Sequence, residues 1–443
     1  MLEPERESSS TRKVGGVGTL LILTLVVRLA VLALRHDALA GDPDAYREVA
    51  VNLAAEGTFG HRRPPGTSNE YPAETAAVSP TAHRPPLYPM LLAPTARLGA
   101  WSPVAIGALH LLCGLLTVWV VFRLALAWEF SSRSATVAAL LTACDPILLN
   151  QSAEVMTETL ATLMAVTLLV GWTAASRSSN VAPAMVAGVA GGLAILCRPT
   201  FLPAVLLGGV VLGCSGPASR ARRTALYLAA VLVAVSPWVV RNQLILGRPI
   251  LTTTHGGHTL RLANNPQYFE HVRTHSWGSV WDSKTLERVV IDDEELRQSG
   301  QTREVLLDRR NYELAFAAIR SDPGGFVWAT IDRLYKTWRP APAQVSPDEG
   351  WKRRTLRWTV GAWYLLEFAL VLVGLVALGR KAISPPWLFG AILLATFTLA
   401  HAVYWTDMRM RAPLVPVICL LAAAGVERLT RPSKGMPTAP GTR

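Results

Sequence analysis

Charge is what this chain lacks. Only 17% of its 443 residues are Asp, Glu, Lys or Arg, against roughly a quarter in a soluble domain. Cysteine is scarce as well. The five cysteines (Cys113, Cys144, Cys197, Cys214 and Cys419) all fall in apolar runs, with no C-x-x-C and no Cys/His spacing. That excludes a disulfide framework and a zinc knuckle, and leaves them as small core residues. The sequence shows no internal repeat, no low-complexity linker and no polar stretch large enough to act as a soluble domain alone.

What is present in quantity is apolar sequence, 51% of the chain, gathered in runs near the ~20 residues that cross a bilayer. Candidate spans cover about 17–35, 103–126, 134–150, 155–175, 181–197, 199–214, 224–245, 357–379, 387–405 and 412–428. The fold class expected is therefore all-α: a polytopic membrane protein of about ten transmembrane helices, with interfacial helices in two long outer loops. The fifth and sixth spans are short, and are expected to be tilted or broken around Arg198-Pro199. "ALA" at 38–40 has the look of a signal-peptidase site, but the apolar stretch before it, residues 17–34, exceeds the ~7–15 residues of a secretory h-region. A retained first span is the reading adopted.

The net charge of +12 raises the possibility of nucleic acid. The basic residues instead flank the apolar runs, which is how membrane orientation is encoded, and no nucleic-acid partner is expected. If the spans alternate, the Lys and Arg of the short loops all land on one side, the cytoplasm by the positive-inside rule. Residues 1–16 and 429–443 are then cytoplasmic tails around a membrane domain at 17–428. The long segments 36–102 and 246–356 lie outside. The piece "HRPPLYPMLLAP" in the first of them is too short to span, and is read as interfacial or re-entrant.

Just after the first span comes "GDPDAYREVAVNLAAEG", residues 41–57. Asp42 followed by Pro43 reads as an N-cap with proline at the first helical position. Tyr46, Val49, Ala50 and Leu53 form an apolar stripe, and Gly57 is a stop. On this pattern alone, Asp42 serves as a cap and Asp44 favours the helix dipole. A carboxylate at the bilayer boundary facing a protein cavity is equally what a general base needs.

Other charges converge on the same face. His83 and Arg84 precede a double proline, Arg241 and Asn242 close the seventh span, and Glu154 and Glu158 open the fourth, one helical turn apart. Asp407, Arg409 and Arg411 sit in the turn between the last two spans. Arg198 costs about 2.5–3.5 kcal/mol if it lies deep. Any single arginine could be a snorkelling anchor. Gathered on the outer face, together they suit a phosphate-bearing lipid headgroup beside a carboxylate.

The order D-x-x-x-Y after the first span, "RPPLYP", an acidic pair opening a later span, "PWVVRN", "GGHTLRLANNP" and a final "RMRAPLVP" resembles the GT-C membrane glycosyltransferases. The branch is that of the dolichyl-phosphate-mannose protein mannosyltransferases and the lipid A aminoarabinose transferase, and the resemblance runs from about residue 17 to 428. It implies inverting transfer of one sugar from a polyprenyl monophosphate carrier, on the non-cytoplasmic face of the plasma (inner) membrane. The base it implies is an Asp of the first outer loop. Asp42 matches by its offset from Tyr46, with Asp44 the second candidate. Arg84 falls where relatives carry a basic residue for the lipid phosphate. His83 stands where some relatives carry an acidic residue, which argues against a metal there. Tyr46, His83, Arg84, Glu154, Glu158, Arg198, Arg241, Asn242, Asn264, Asn265, Arg409 and Arg411 are the substrate-binding residues expected. No cofactor is required, and nothing supports a divalent metal. The partners are the lipid-linked donor, membrane lipids and an acceptor that is protein, lipid or glycan.

The chemistry fits these residues directly. A polyprenyl phosphate is already a good leaving group, so its charge must be held, which Arg does through bidentate contacts. One carboxylate suffices to take the acceptor proton. His255 and His258 have H-x-x-H spacing, but "THGGH" reads as a structural Gly-rich loop. "DDEE" at 292–295 reads as a solvated face. The rival reading is a transporter or flippase of a lipid-linked or anionic substrate, whose charges belong nearer the midplane.

Overall fold

The computed structural model of the chain describes residues 5–62, 77–214, 220–346 and 348–430. In chain order its helices are α1 (Glu5–Leu34), α2 (Tyr46–Glu56), α3 (Leu87–Ala96), α4 (Ser102–Ala127), α5 (Ser132–Cys144) and α6 (Pro146–Gln151). Then come α7 (Glu158–Arg177), α8 (Ala182–Cys197), α9 (Phe201–Cys214), α10 (Arg220–Leu246), α11 (Gly256–Ala263) and α12 (Pro266–Thr274). The last six are α13 (Asp293–Ser299), α14 (Arg303–Ser321), α15 (Pro323–Trp338), α16 (Trp351–Leu378), α17 (Trp387–Val403) and α18 (Val415–Thr430). The strand among the described residues is a two-residue antiparallel ladder pairing Gly60 with Pro80 and His61 with Ser79. The protein is an all-α, integral membrane protein.

Six stretches, Val17–Leu34, Gly99–Ala127, Glu158–Arg177, Arg220–Leu246, Trp351–Ile383 and Met408–Thr430, are long and apolar enough to cross a bilayer. Three shorter apolar helices, α8, α9 and α17, accompany them. With α5 they fall on the ten apolar runs of the sequence. Three boundaries differ from the sequence reading. The run 134–150 is two helices, because Asp145 caps α6 (its Oδ1 accepts the Leu148 amide at 2.8 Å) and Pro146 follows at the first helical position. The fourth span starts at Glu158, after a non-helical turn at 152–157, so Glu154 and Glu158 do not share a helix. The last span is entered through a 3-10 segment, Met408–Leu414, containing Pro413. The expected C-terminal tail lies outside the described residues beyond residue 430.

The bundle is held by close pairs, α16 on α18, α8 on α10 and α7 on α8. α18 is the central helix, buried continuously from Val415 to Gly425. The segment 246–356 folds into α11–α15 and packs on the bundle through α15 against α17. One carboxylate stitches the segments 36–102 and 246–356 together. Glu304, at the start of α14, accepts the Thr81 hydroxyl at 2.5 Å, the Ala82 amide at 2.8 Å and the Thr254 hydroxyl. A second polar knot, Tyr268–Asp332–Lys336, is fully buried and mutually satisfied: Lys336 Nζ lies 2.8 Å from Asp332 Oδ2, which also accepts the Tyr268 hydroxyl at 2.7 Å. Such networks rigidify when every group is paired. The first knot fixes the chain just before His83 and Arg84, and the second holds α12 to α15.

Candidate active site

The site is organised around Tyr46, the first residue of α2. Its ring is buried, edge-on to Tyr88 with 5.3 Å between centroids, and the Arg84 guanidinium lies 5.3 Å from its centroid. Burial pushes its hydroxyl up to about 12, against the pull of Arg84. It is a neutral platform, not a base. The expected helix start at Pro43 is corrected here. Residues 43–45 form a turn, Ala45 takes a left-handed conformation (φ 58°), and α2 begins at Tyr46 with no side-chain hydrogen bond from its N-cap residue, Ala45. Asp42 nonetheless caps the helix from outside, its Oδ2 accepting the Glu48 amide at 2.9 Å. Its Oδ1 is buried and has no hydrogen-bond partner. A buried carboxylate oxygen without a donor is costly, and Asp42 lies within electrostatic reach of Tyr88.

Asp44 is engaged differently. Arg84 donates from Nη2 to Asp44 Oδ1 at 3.1 Å and from Nε to the Asp44 carbonyl at 2.8 Å. Glu158, 1% exposed, faces Arg198 Nη1 at 3.4 Å and Arg409 Nε at 3.7 Å from one oxygen, while its Oε2 is buried and unpartnered. Arg409 also meets Asp407 at 3.1 Å and lies within electrostatic reach of Asp44 and Tyr46. Three arginines from three distant stretches therefore surround Tyr46, with Asp44, Glu158 and Asp407 as their counter-charges. Arg198 occupies the break between α8 and α9, where Pro199 stops the helix.

The remaining sequence-predicted residues have other partners. Glu154 binds Arg35 Nη2 at 2.6 Å, closing the C-terminal end of α1 onto the turn before α7. Arg241 spends its terminal nitrogens on the Thr81 and Phe59 carbonyls, at 2.7 and 2.9 Å, and on Asn242. Asn242 reaches the Ile250 carbonyl at 2.9 Å. Asn265 caps α12 through the Tyr268 amide at 2.8 Å, and Asn264 ties Leu260 to Val403. Arg411 is fully buried, 4.2 Å over the Tyr364 ring, donating to the Thr337 and Arg339 carbonyls at 3.2 Å. These six residues hold loops and helix ends in place.

His83 stands behind Arg84 in a row of imidazoles. Its centroid is 4.3 Å from His255 and 6.2 Å from His61, and His255 is 5.1 Å from His258. Burial, reinforced by Arg84, holds His83 well below the usual histidine range. Burial and its neighbour His83 do the same to His255. Among the described residues, no group of three or more His, Cys, Asp or Glu side chains is disposed to hold a metal ion. "THGGH" is not a loop throughout, since Gly256 and Gly257 open α11. A Cβ on Gly257 would stand 2.1 Å from the Asp308 carbonyl, so glycine permits the approach of α14. "DDEE" is a helix start, with Asp292 accepting the Glu295 amide at 2.6 Å.

Sequence reasoning missed the chain that runs from the site into the bundle. His110 Nδ1 faces the Ser152 carbonyl at 2.9 Å, so that nitrogen donates, and the Tyr88 hydroxyl donates to Nε2 at 2.8 Å. The available signal was a lone His in an apolar span and the Tyr of "RPPLYP". Beside α2 and α3 runs an apolar groove of about 520 Å³, lined by residues including Leu53, Phe59, Met90, Leu193 and Trp238, with Arg241 in its wall.

The helix order, the broken spans and the charged site at the span ends resemble the GT-C fold of membrane glycosyltransferases. Residues 83–240 match the family model described as dolichyl-phosphate-mannose-protein mannosyltransferase. The fold resembles the archaeal oligosaccharyltransferase AglB of Archaeoglobus fulgidus, solved with an inhibitory peptide and a dolichol-phosphate, at TM-score 0.53 and 14% identity. The match covers 93% of this chain and 50% of that one, so the chain spans half the length of that enzyme. ArnT of Cupriavidus metallidurans also matches, at TM-score 0.39 over 94% of this chain and 78% of that one, with 17% identity in the apo state and 16% bound to undecaprenyl phosphate. No curated protein sequence matches the chain. The resemblance drawn from the sequence, to a GT-C membrane glycosyltransferase of the mannosyltransferase and aminoarabinose-transferase branch, stands.

Proposed function

We propose that the chain is an inverting glycosyltransferase that moves a single sugar from a polyprenyl-phosphate carrier to an acceptor on the outer face of the plasma (inner) membrane. The observation that carries this reading is the arrangement about Tyr46: Arg84, Arg198 and Arg409 lie around it, Arg84 fixed by Asp44 and the other two facing Glu158, while Asp42, two residues before Asp44, keeps a buried carboxylate oxygen without a partner. The acceptor hydroxyl gives its proton to Asp42 as its oxygen attacks the anomeric carbon from the face opposite the phosphate. The bond from that carbon to the phosphate oxygen breaks, and the electron pair leaves with the polyprenyl phosphate. No acid is needed for this leaving group, and the arginines hold its charge. The groove beside α2 and α3 suits the isoprenoid chain, since it is mostly apolar and its lining includes Pro86 and Leu196, each two residues along the chain from Arg84 and Arg198 respectively. The family match over 83–240 and the dolichol-phosphate held by AglB support a lipid-linked donor.

The orientation belongs to this proposal: cytoplasmic tails at both ends and the segments 36–102 and 246–356 outside. A reporter fused after Gly257 should be active outside the cytoplasm, and activity inside it would refute the orientation. Sugar release from polyprenyl-phosphate donors by the purified protein tests the reaction itself, and no release with any acceptor class would refute it. A transport reading draws on Arg28 and Glu367, which are buried inside spans and each retain unpartnered atoms. Lipid-linked sugar crossing vesicles without cleavage would favour it.

A further inference from the structure

A cavity of about 690 Å³ opens at the opposite end of the bundle from Tyr46. Five helix ends meet there: the α4–α5 turn, the end of α7, the turn after α16, the start of α17 and the end of α18. Its floor is aromatic. Trp387 stands edge-on to Trp128 at 4.7 Å and to Phe130 at 5.8 Å. Trp128 is fixed by donating its indole N–H to Thr173 at 3.1 Å. The rim carries Arg177, Lys381 and Arg428 against Glu129 and Glu427. Arg177 is held by the Ala127 carbonyl at 2.7 Å, and among the described residues neither Lys381 nor Arg428 belongs to an ion pair.

We propose that this cavity binds the headgroup of an anionic glycerophospholipid from the surrounding leaflet. Three features select that ligand. Cations outnumber carboxylates on the rim, so the ligand is anionic. The tryptophan floor and the apolar turns of α16 and α18 offer contacts that a free phosphate ion cannot use but glycerol and acyl carbons can. The cavity lies where the spans end, at headgroup depth, on the side that also carries Arg123, Arg133, Arg220 and Arg222. By the positive-inside rule that is the cytoplasmic leaflet, where anionic lipids concentrate. The site is separate from the donor site: α7 runs the 20 residues from Glu158 at one to Arg177 at the other.

The test is native mass spectrometry of the full chain released from vesicles of equal phosphatidylglycerol and phosphatidylcholine. The wild type should retain phosphatidylglycerol in preference. Lys381→Gln with Arg428→Gln should lower that retention about fivefold or more, given the pull of each basic residue on an anionic lipid. Arg220→Gln with Arg222→Gln, equally basic and on the same face, should leave it unchanged. Lys381→Gln alone changes one exposed residue, and a lowered retention in that variant carries the test should the double variant not fold. Retention that survives loss of Lys381 overturns the proposal. So does an equal fall in the control pair, which would mark only the general attraction of a basic face. Displacement of the lipid by millimolar inorganic phosphate would overturn it in favour of a phosphate-ion site. Lipid retention is read without sugar transfer, so failure here leaves the enzyme proposal untouched.

Discussion

Arg84 grips Asp44 twice, once at the carboxylate (3.1 Å) and once at its backbone carbonyl (2.8 Å), while Asp42, two residues earlier, keeps Oδ1 free. The two carboxylates of one short loop are thereby separated in role. Asp44 holds a cation in place, and in the proposed reaction the unpartnered oxygen of Asp42 accepts the proton.

Arg84 tests the first half of that division. Lysine there keeps the charge but cannot hold both Asp44 contacts and a phosphate oxygen with one ammonium. Arg84→Ala should weaken polyprenyl-phosphate binding by about 10–100-fold, the range for a charge-assisted hydrogen bond, and Arg84→Lys by less. Titration of the lipid phosphate against each variant measures this. Equal affinity in all three would make Arg84 a loop anchor.

Glu158 sits between Arg198 and Arg409 with one oxygen unpartnered. Removing one partner of a buried ion pair is destabilising by about 3–5 kcal/mol, so Glu158→Gln should lower the thermal midpoint. If the two arginines also receive the donor phosphate, polyprenyl phosphate should restore more of that loss than it adds to the wild type. Thermal scans with and without the lipid check it. A variant indifferent to the lipid would separate these arginines from the phosphate.

Asp308 carries a pH signature. Burial pushes its carboxyl up to about 6, opposed by the Gly257 amide that it accepts at 2.7 Å. The unfolded chain has the ordinary value near 3.8, so between these values the folded state holds more protons. Stability from this residue therefore falls as pH rises through that window, and the full cost is present above about 6. Asp308→Asn keeps an acceptor for Gly257 and removes the charge. It should raise the thermal midpoint at pH 8, by the order of 1 kcal/mol after allowance for its partial exposure, and leave it unchanged at pH 4. An equal gain at both pH values would trace the effect to packing.

The spans were legible because apolar length is written locally, and so was the break at Arg198-Pro199. The Asp-Pro signature was less secure. At Asp145-Pro146 it starts a helix, whereas at Asp42-Pro43 the chain makes a further turn before α2 begins at Tyr46. Residue type alone does not separate the two cases, because Asp42 reaches its amide from six residues away. The candidate site was legible as a set of charges at the span ends, but not as pairs. Arg84 with Asp44, or Arg198 with Glu158, are joined over 40 residues of chain. Glu304 left no signal at all, since its partners Thr81 and Ala82 lie more than 200 residues away.

Close packing of α16 on α18 offers a control far from the chemistry. A Cβ on Gly425 would fall 2.1 Å from the Leu370 carbonyl, a backbone atom that cannot swing aside. Gly425→Ala should cost about 1–3 kcal/mol, as overpacking does, with transfer per folded molecule unchanged. A silent substitution by thermal scan would mean that the two helices part easily.

The decisive pair is Asp42→Asn and Asp44→Asn. Asparagine at 42 can still accept the Glu48 amide, so α2, the Tyr46 platform and donor binding should survive. Transfer should fall by roughly 10²–10⁴-fold, the contribution of a positioned base, and the loss should appear in kcat with KM little changed. Asparagine at 44 removes the charge that Arg84 meets and leaves the carbonyl contact. Its effect should therefore appear in the KM for donor, with kcat mostly retained. Steady-state transfer from a polyprenyl-phosphate sugar separates the two outcomes. Were the signatures exchanged, with Asp44→Asn abolishing kcat and Asp42→Asn silent, the proton would pass to Asp44 and the open oxygen of Asp42 would be a feature of the cap alone. Were both variants fully active, neither carboxylate would be the base. Glu158, whose second oxygen is also buried and free, would then take its place.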